Sequence, residues 1–222
     1  MKKALLAILL VAGCSSSGGG GGAQKSEADF ENEIASAIMF DPALLKAGDR
    51  VIYFVKRAGE SETQKYSWSA VAEDRTGIWI ENSRPWNASR MVVKSKLDRS
   101  GKLLEQWVGE AGGVPGQTYP SPKTGDAPKH VRDSGSAKAD SKEEPDRIVV
   151  GGKTYQCIKV TTVLAYPDGR KSTMTNWFSK EVPFAFTSAH GGLVKRLFGR
   201  LSMELVAGDR NGKPEMQIPS QK

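Results

Sequence analysis

The side chains that most often carry chemistry are scarce in this sequence of 222 residues. It contains two cysteines, Cys14 and Cys157, and two histidines, His130 and His190. None of them belongs to a motif of a serine hydrolase, a zinc protease, a dithiol oxidoreductase or a phosphate-binding loop. Two histidines with so few thiols also make a poor set of metal ligands. We therefore expect no enzyme, no cofactor and no metal site, and we interpret Cys157 as a small packed thiol.

Cys14 stands at the junction of two different segments. Before it lie Lys2, Lys3 and a short apolar run, and after it comes a string of serines and glycines. The run is shorter than the roughly 20 residues that span a bilayer, and its basic start is typical of a secretory signal peptide. The residues Val11-Ala12-Gly13-Cys14 resemble the lipobox of bacterial lipoproteins. An ordinary secretory signal that ends in a cysteine by chance is the alternative.

The lipobox resemblance implies a processed, membrane-anchored protein. Residues 1–13 would be a cleaved signal peptide, and the thiol of Cys14 would carry a diacylglycerol. Residues 14–25 would form a flexible Ser/Gly tether, and residues 26–222 a single domain. The membrane is then the first expected partner, and Ser15 after the cysteine implies the outer membrane if the host is Gram-negative.

The charge of the chain is compatible with more than one kind of partner. The formal net charge is +7, and the basic excess is concentrated in residues 151–222. A basic region can favour anionic lipid headgroups or another acidic surface, but it can equally be a solvated surface. Nucleic acid is not expected as a partner of an exported lipoprotein.

The periodicity of the apolar residues predicts an α+β fold that is mainly β. An amphipathic helix is predicted over residues 27–39, where Phe30, Ile34 and Ile38 recur at helical spacing. From residue 50 onwards the period is two, and turn residues separate roughly nine strands. We expect the helix to lead into a curved antiparallel meander that forms a half-barrel. The strands are predicted at 50–57, 65–73, 78–82, 90–98, 102–110, 147–150, 153–166, 171–179 and 201–209.

Three other segments lack this clear pattern. Residues 111–146 are rich in Gly, Pro, Ser and charged residues and predict a disordered insertion, in which Glu143 and Glu144 are solvated. The segment 190–200 predicts a short helix or a loop at the rim of the sheet. The tail after residue 214 is predicted to be loose.

The order of the elements resembles the lipoprotein-carrier superfamily. The resemblance rests on a helix before a long antiparallel meander and on the lipobox tether. The stretches GKTYQCIKVTT (152–162) and TNWFSKEVP (175–183) are similar to uncharacterised exported proteins grouped with that superfamily. The resemblance implies a half-barrel whose concave face is apolar and holds a lipid or another apolar ligand.

Candidate ligand-binding residues follow from the strand at 50–57, which is apolar on both faces and should be covered on both sides. The helix would cover one face and a ligand the other. Candidate wall residues are Ile52, Phe54, Trp68 and Trp79, and candidate headgroup or rim residues are Lys195 and Arg196. The alternative is that the strand tryptophans are core residues and that the protein is a structural or interaction lipoprotein that contacts an envelope partner. A deep apolar pocket would favour the first hypothesis, and a filled core the second.

Overall fold

The computed structural model describes residues 38–86, 89–113, 117–118, 138–165, 169 and 171–216. Within these ranges the regular structure is one antiparallel sheet of eleven strands and a single 3-10 turn at Pro42–Leu44. The strands are β1 (Arg50–Arg57), β2 (Thr63–Asp74), β3 (Gly77–Trp86), β4 (Ser89–Leu97), β5 (Leu103–Glu110), β6 (Gln117–Thr118), β7 (Lys138–Val150), β8 (Lys153–Ala165), β9 (Lys171–Ser179), β10 (Gly192–Phe198) and β11 (Leu201–Asp209).

The first and last long strands meet in the middle of the sheet. The spatial order is β6-β5-β4-β3-β2-β1-β11-β10-β9-β8-β7, so β6 and β7 are the edges. Neighbours along the chain pair as a meander on each side, and the β1–β11 pair joins the two halves. An ion pair of 2.6 Å between Arg50 and Asp209 lies at one end of this central pair. Because β6 and β7 are edges that do not pair with each other, the sheet is open.

Several connections form where short polar residues and glycines were predicted to turn the chain. Between β2 and β3, the carboxylate of Asp74 accepts hydrogen bonds from the backbone N–H groups of Thr76 (2.8 Å) and Gly77 (3.1 Å). Between β7 and β8, Gly151 and Gly152 both have positive φ angles, 58° and 78°. Glycine adopts these angles without a steric penalty, so this pair closes a tight hairpin.

The mainly β meander is confirmed, and two predictions about its elements need correction. Residues 192–198 form strand β10 and not a helix or a rim loop. The N-terminal helix was predicted over residues 27–39. Residues 27–37 lie outside the described residues, and Ile38 and Met39 are not helical. The described part of the chain contains no α-helix.

The disordered insertion predicted at 111–146 is wrong for residues 138–146. These residues belong to β7, which pairs with β8 along its whole length and places Glu143 opposite Val160 and Glu144 opposite Lys159. Charged residues and Pro145 are tolerated because β7 is an edge strand, where they also discourage pairing with other chains. Residues 117–118 of the predicted insertion form β6, and residues 114–116 and 119–137 lie outside the described ranges.

The two faces of the sheet differ in what covers them. We call the face that carries Val51, Tyr53 and Val55 the front face, and the face that carries Ile52 and Phe54 the back face. Residues directly opposite each other on neighbouring strands share a face, so the pairing registers of the strands extend this assignment across the sheet. Val51, Tyr53 and Val55 are buried in the hydrophobic core, whereas Phe54 is exposed.

Candidate binding surface

The four predicted wall residues do not line one surface. Trp68 lies opposite Val51 on the front face, is 4% exposed, and packs edge-to-face on Tyr53 with ring centroids 5.6 Å apart. Ile52 and Phe54 lie on the back face. Trp79 also lies there, opposite Lys96, whose ammonium is 5.5 Å from the indole centroid. The thickness of the sheet therefore separates Trp68 from the other three.

The two predicted rim residues also point to opposite faces. Lys195 lies on the back face and forms an ion pair of 2.6 Å with Glu204. Arg196 lies on the front face and is 2% exposed, and its Nε donates to Oδ1 of Asn176 at 2.7 Å. The prediction of a rim position is thus wrong for Arg196, because adjacent residues of a strand face opposite sides.

Arg196 is a buried cation in the core of the protein. Burial lowers its pKa to about 10, and the nearby Tyr53 opposes this shift. Burial also raises the pKa of Tyr53, whose hydroxyl donates to the carbonyl of Leu193 at 2.8 Å. Arg196 therefore stays charged and Tyr53 neutral at physiological pH. The hydrogen bond of Tyr53 links β1 to β10, and that of Arg196 links β10 to β9.

The front face is covered by the chain itself. Two segments form this cover: residues 38–49, which precede β1, and residues 180–191, which connect β9 to β10. They are joined by a hydrogen bond of 2.8 Å from the backbone N–H of Asp41 to the carbonyl of Ala185. The rings of Phe40 and Phe184 meet edge-to-face at 5.5 Å, and Phe184 is 1% exposed. The cover thus packs on the front face, which carries Trp68 but not the other three predicted wall residues.

His190 links segment 180–191 of the cover to the edge strand β7 of the sheet. Its Nδ1 lies 2.6 Å from the hydroxyl of Thr187, and its Nε2 lies 3.2 Å from the carboxylate of Glu143 on β7. Its ring also contacts Phe178 and Phe186. These contacts assign His190 a structural role, in which its ring packs on two aromatic side chains and its two nitrogens face Thr187 and Glu143.

Cys157 has the environment of a packed thiol. It is 6% exposed and belongs to the hydrophobic core. Burial, followed by the nearby carboxylates of Asp146 and Glu181, raises its pKa to about 11. A protonated thiol is a poor nucleophile, so this environment agrees with the expected packing role.

The back face exposes apolar side chains around the central strands. Phe54 on β1 is 46% exposed, Leu197 on β10 is 40% exposed and Val206 on β11 is 47% exposed. We call these three residues the back-face patch. The ion pair of Lys195 with Glu204 lies among them, because Glu204 is directly opposite both Phe54 and Lys195. The expectation that β1 is covered on both faces is therefore wrong at Phe54.

Sequence reasoning missed a second feature of the back face. Glu81 on β3 and Lys94 on β4 lie opposite each other and form an ion pair of 3.0 Å, with side chains that are 2% and 7% exposed. They are covered by the C-terminal residues 215–216, and Met216 is 0% exposed. The prediction of a loose tail after residue 214 is thus wrong for residues 215 and 216. Opposite charges at facing positions of a predicted hairpin were the available signal.

Comparison of the chain with models of protein families, with curated proteins and with solved structures finds no match. Among the described residues, no group of three or more His, Cys, Asp or Glu side chains is arranged to hold a metal ion. No helix in the described ranges has the length and hydropathy needed to cross a membrane.

Proposed function

We propose that this chain is a lipid-anchored, non-enzymatic interaction module of the bacterial cell envelope. The anchor is the thiol of Cys14, which stands after a short apolar run and two small residues and before a Ser/Gly tether. Processing before Cys14 would leave the β domain attached to the membrane by its N-terminus, in the outer membrane of a Gram-negative host.

The cover of the front face is the observation that carries the choice of an interaction module. A lipid carrier needs an apolar surface that its ligand can reach. Here Phe184, Leu45 and Ile38 are 1%, 2% and 4% exposed and belong to one hydrophobic core with Tyr53 and Trp68. Self-packing of this kind supports binding through the outside of the sheet and disfavours carriage of a lipid within it.

The back-face patch is the surface that we assign to an envelope protein. Exposed aromatic and aliphatic side chains bordered by charged pairs are a composition found at protein interfaces. Phe54, Leu197 and Val206 combine this composition with exposure of 40–47%. The central position of β1, β10 and β11 in the sheet also makes the patch rigid, which limits the entropy lost on binding.

Electrophoresis of membranes under native conditions tests this assignment. The wild-type chain, extracted in mild detergent, should migrate in a complex larger than the lipoprotein alone. Phe54→Glu combined with Leu197→Glu should return the chain to its own size without releasing it from the membrane fraction, because a buried carboxylate would oppose complex formation.

Val149→Glu provides the matched control. Val149 is 67% exposed and lies on the edge strand β7, away from the patch. This variant should keep the large complex. Migration of the wild-type chain at its own size, or loss of the complex in the Val149 variant alone, would contradict the assignment.

A further inference from the structure

The segment that follows β11 places its last two described residues, Glu215 and Met216, on the back face of the sheet. Residues 210–216, which we call the strap, leave the end of β11 and reach β2, β3 and β4. On the way, the backbone N–H of Gly212 donates to the carbonyl of Gly48 at 2.8 Å. At its end, Glu215 and Met216 lie over the buried ion pair of Glu81 with Lys94.

The buried ion pair binds the backbone of the strap. The carboxylate of Glu81 accepts from the N–H of Glu215 at 2.6 Å and, more weakly, from the N–H of Met216 at 3.4 Å. The ammonium of Lys94 donates to the carbonyl of Met216 at 3.0 Å. The N–H of Gly112 donates to the carbonyl of Glu215 at 2.9 Å. Every backbone polar group of residues 215 and 216 thus has a partner.

The side chains of the strap are recognised as well. The carboxylate of Glu215 lies 3.4 Å from the hydroxyl of Ser67, 3.1 Å from the hydroxyl of Ser83 and 3.4 Å from the guanidinium of Arg90. The side chain of Met216 is fully buried. The arrangement therefore selects an acidic residue followed by an apolar one.

These contacts have the two parts of a peptide-binding site. Hydrogen bonds to the main chain hold the segment, and contacts to side chains specify its sequence. The protein also keeps two charges out of water at this place, which is costly unless further hydrogen bonds satisfy them. The strap supplies those bonds. We call the five residues that hold it from β2, β3 and β4 the clamp: Ser67, Glu81, Ser83, Arg90 and Lys94.

We propose that the clamp is a site for a Glu–Met peptide segment and that the strap of a second copy of this chain can occupy it in place of the chain's own. Both straps have the same sequence, so all contacts to the clamp are the same within one copy and between two. Exchange of an identical element is a low-cost route to a dimer, because only the connecting residues change conformation. Here the connection is residues 210–214, which include Gly212 and Pro214.

A labelled peptide can stand in for the strap of the second copy. The protein is the full chain with Glu215→Ala and Met216→Ala, which leaves the clamp intact and weakens its own strap. The probe is a fluorescein-labelled peptide of residues 210–222, followed by anisotropy. The wild-type chain should bind it at least tenfold more weakly, because its own strap competes at an effective concentration of about millimolar.

Two controls make the peptide experiment specific. A peptide with the same two alanines should bind at least tenfold more weakly than the natural one, and so should a protein that also carries Glu81→Gln. Equal binding of both peptides, or no binding to a folded variant, would overturn the peptide site. If the variant is unfolded alone, the natural peptide must restore a cooperative melting transition, and a variant that stays unfolded with the peptide would overturn the site equally.

Exchange between copies has its own test. A clamp variant, Glu81→Leu with Lys94→Met, keeps the strap and replaces the buried pair by apolar residues, a change that folds often tolerate. Mixed with the strap variant, it should give a heterodimer in native mass spectrometry, whereas each variant alone should be monomeric. A mixture that stays monomeric while the peptide binds would overturn exchange and leave the strap as a ligand within one copy.

Discussion

Truncation of Phe184 probes the cover of the front face most sharply. Phe184 is 1% exposed, packs edge-to-face on Phe40, and lies in the segment that connects β9 to β10. It also has a φ of +61°, a left-handed conformation that is costly for a bulky residue. The packing of the ring therefore holds a strained backbone in place.

The expected effect of Phe184→Ala follows from these two observations. Removal of a buried phenylalanine side chain costs about 3–5 kcal/mol, and the alanine keeps the left-handed conformation and its strain. Phe184→Gly removes the same ring but relieves the backbone by roughly 1 kcal/mol. We therefore expect the glycine variant to be at least as stable as the alanine variant, against the usual order in which glycine is the less stable residue.

Urea unfolding followed by tryptophan fluorescence measures both variants. With a slope of about 2 kcal/mol per molar urea, Phe184→Ala should lower the midpoint by about 1.5–2.5 M. A loss of less than about 1 kcal/mol would show that the ring is not part of a packed core. That result would refute the self-filled front face and restore the case for a lid over a ligand site.

Three further predictions concern the anchor, the core and the edge strand. Cys14→Ser should release the chain from the membrane fraction as an uncut precursor, and a membrane-bound, normally processed variant would contradict the anchor. Arg196→Ala should reduce the free energy of unfolding by about 3 kcal/mol, because a buried charged hydrogen bond and its packing are lost. Lys195→Ala should reduce it by less than about 1 kcal/mol, because the ion pair of Lys195 is partly exposed. Similar losses for the two variants in denaturant unfolding would contradict the assignment of the two residues to opposite faces. On β7, hydrogen bonds from Lys142 and Lys159 lower the pKa of Glu144 from 4.5 to about 2. A carboxylate whose pKa is lowered by folding stabilises the protein at any pH above its pKa in the unfolded chain. The wild type should therefore have a higher free energy of unfolding than Glu144→Gln above pH 4.5, and this difference should be lost as the pH falls towards 2. A difference in unfolding midpoint that does not change with pH would argue against the ion pairs.

The strands with alternating apolar residues could be predicted from the sequence because local pattern and tertiary burial agree there. The face of β1 that carries Val51, Tyr53 and Val55 is an example, as are the turns at Asp74 and Gly151. By contrast, β7 could not be predicted, because its charged sequence is stabilised by pairing with β8 at an edge. β10 was missed because a bulge between Leu193 and Lys195 interrupts its alternation.

The candidate site was harder to predict than the fold because polar residues were assumed to face water. Arg196 is buried through its bond to Asn176, and Glu81 and Lys94 are buried beneath a segment far away in sequence. Conversely, Phe54 remains exposed although its strand is apolar on both faces. Such exceptions depend on which distant segments cover each face, and periodicity does not contain that information.

Titration of the soluble domain with a fluorescent fatty acid tests the central claim most directly. The protein would begin after the tether, at residue 26, and quenching of its tryptophans would report binding near Trp68. If the chain fills its own front face and acts through its outer surface, the titration should show no saturable quenching at micromolar concentrations. Saturable binding of one fatty acid per chain, weakened by substitution of Trp68, would contradict the account.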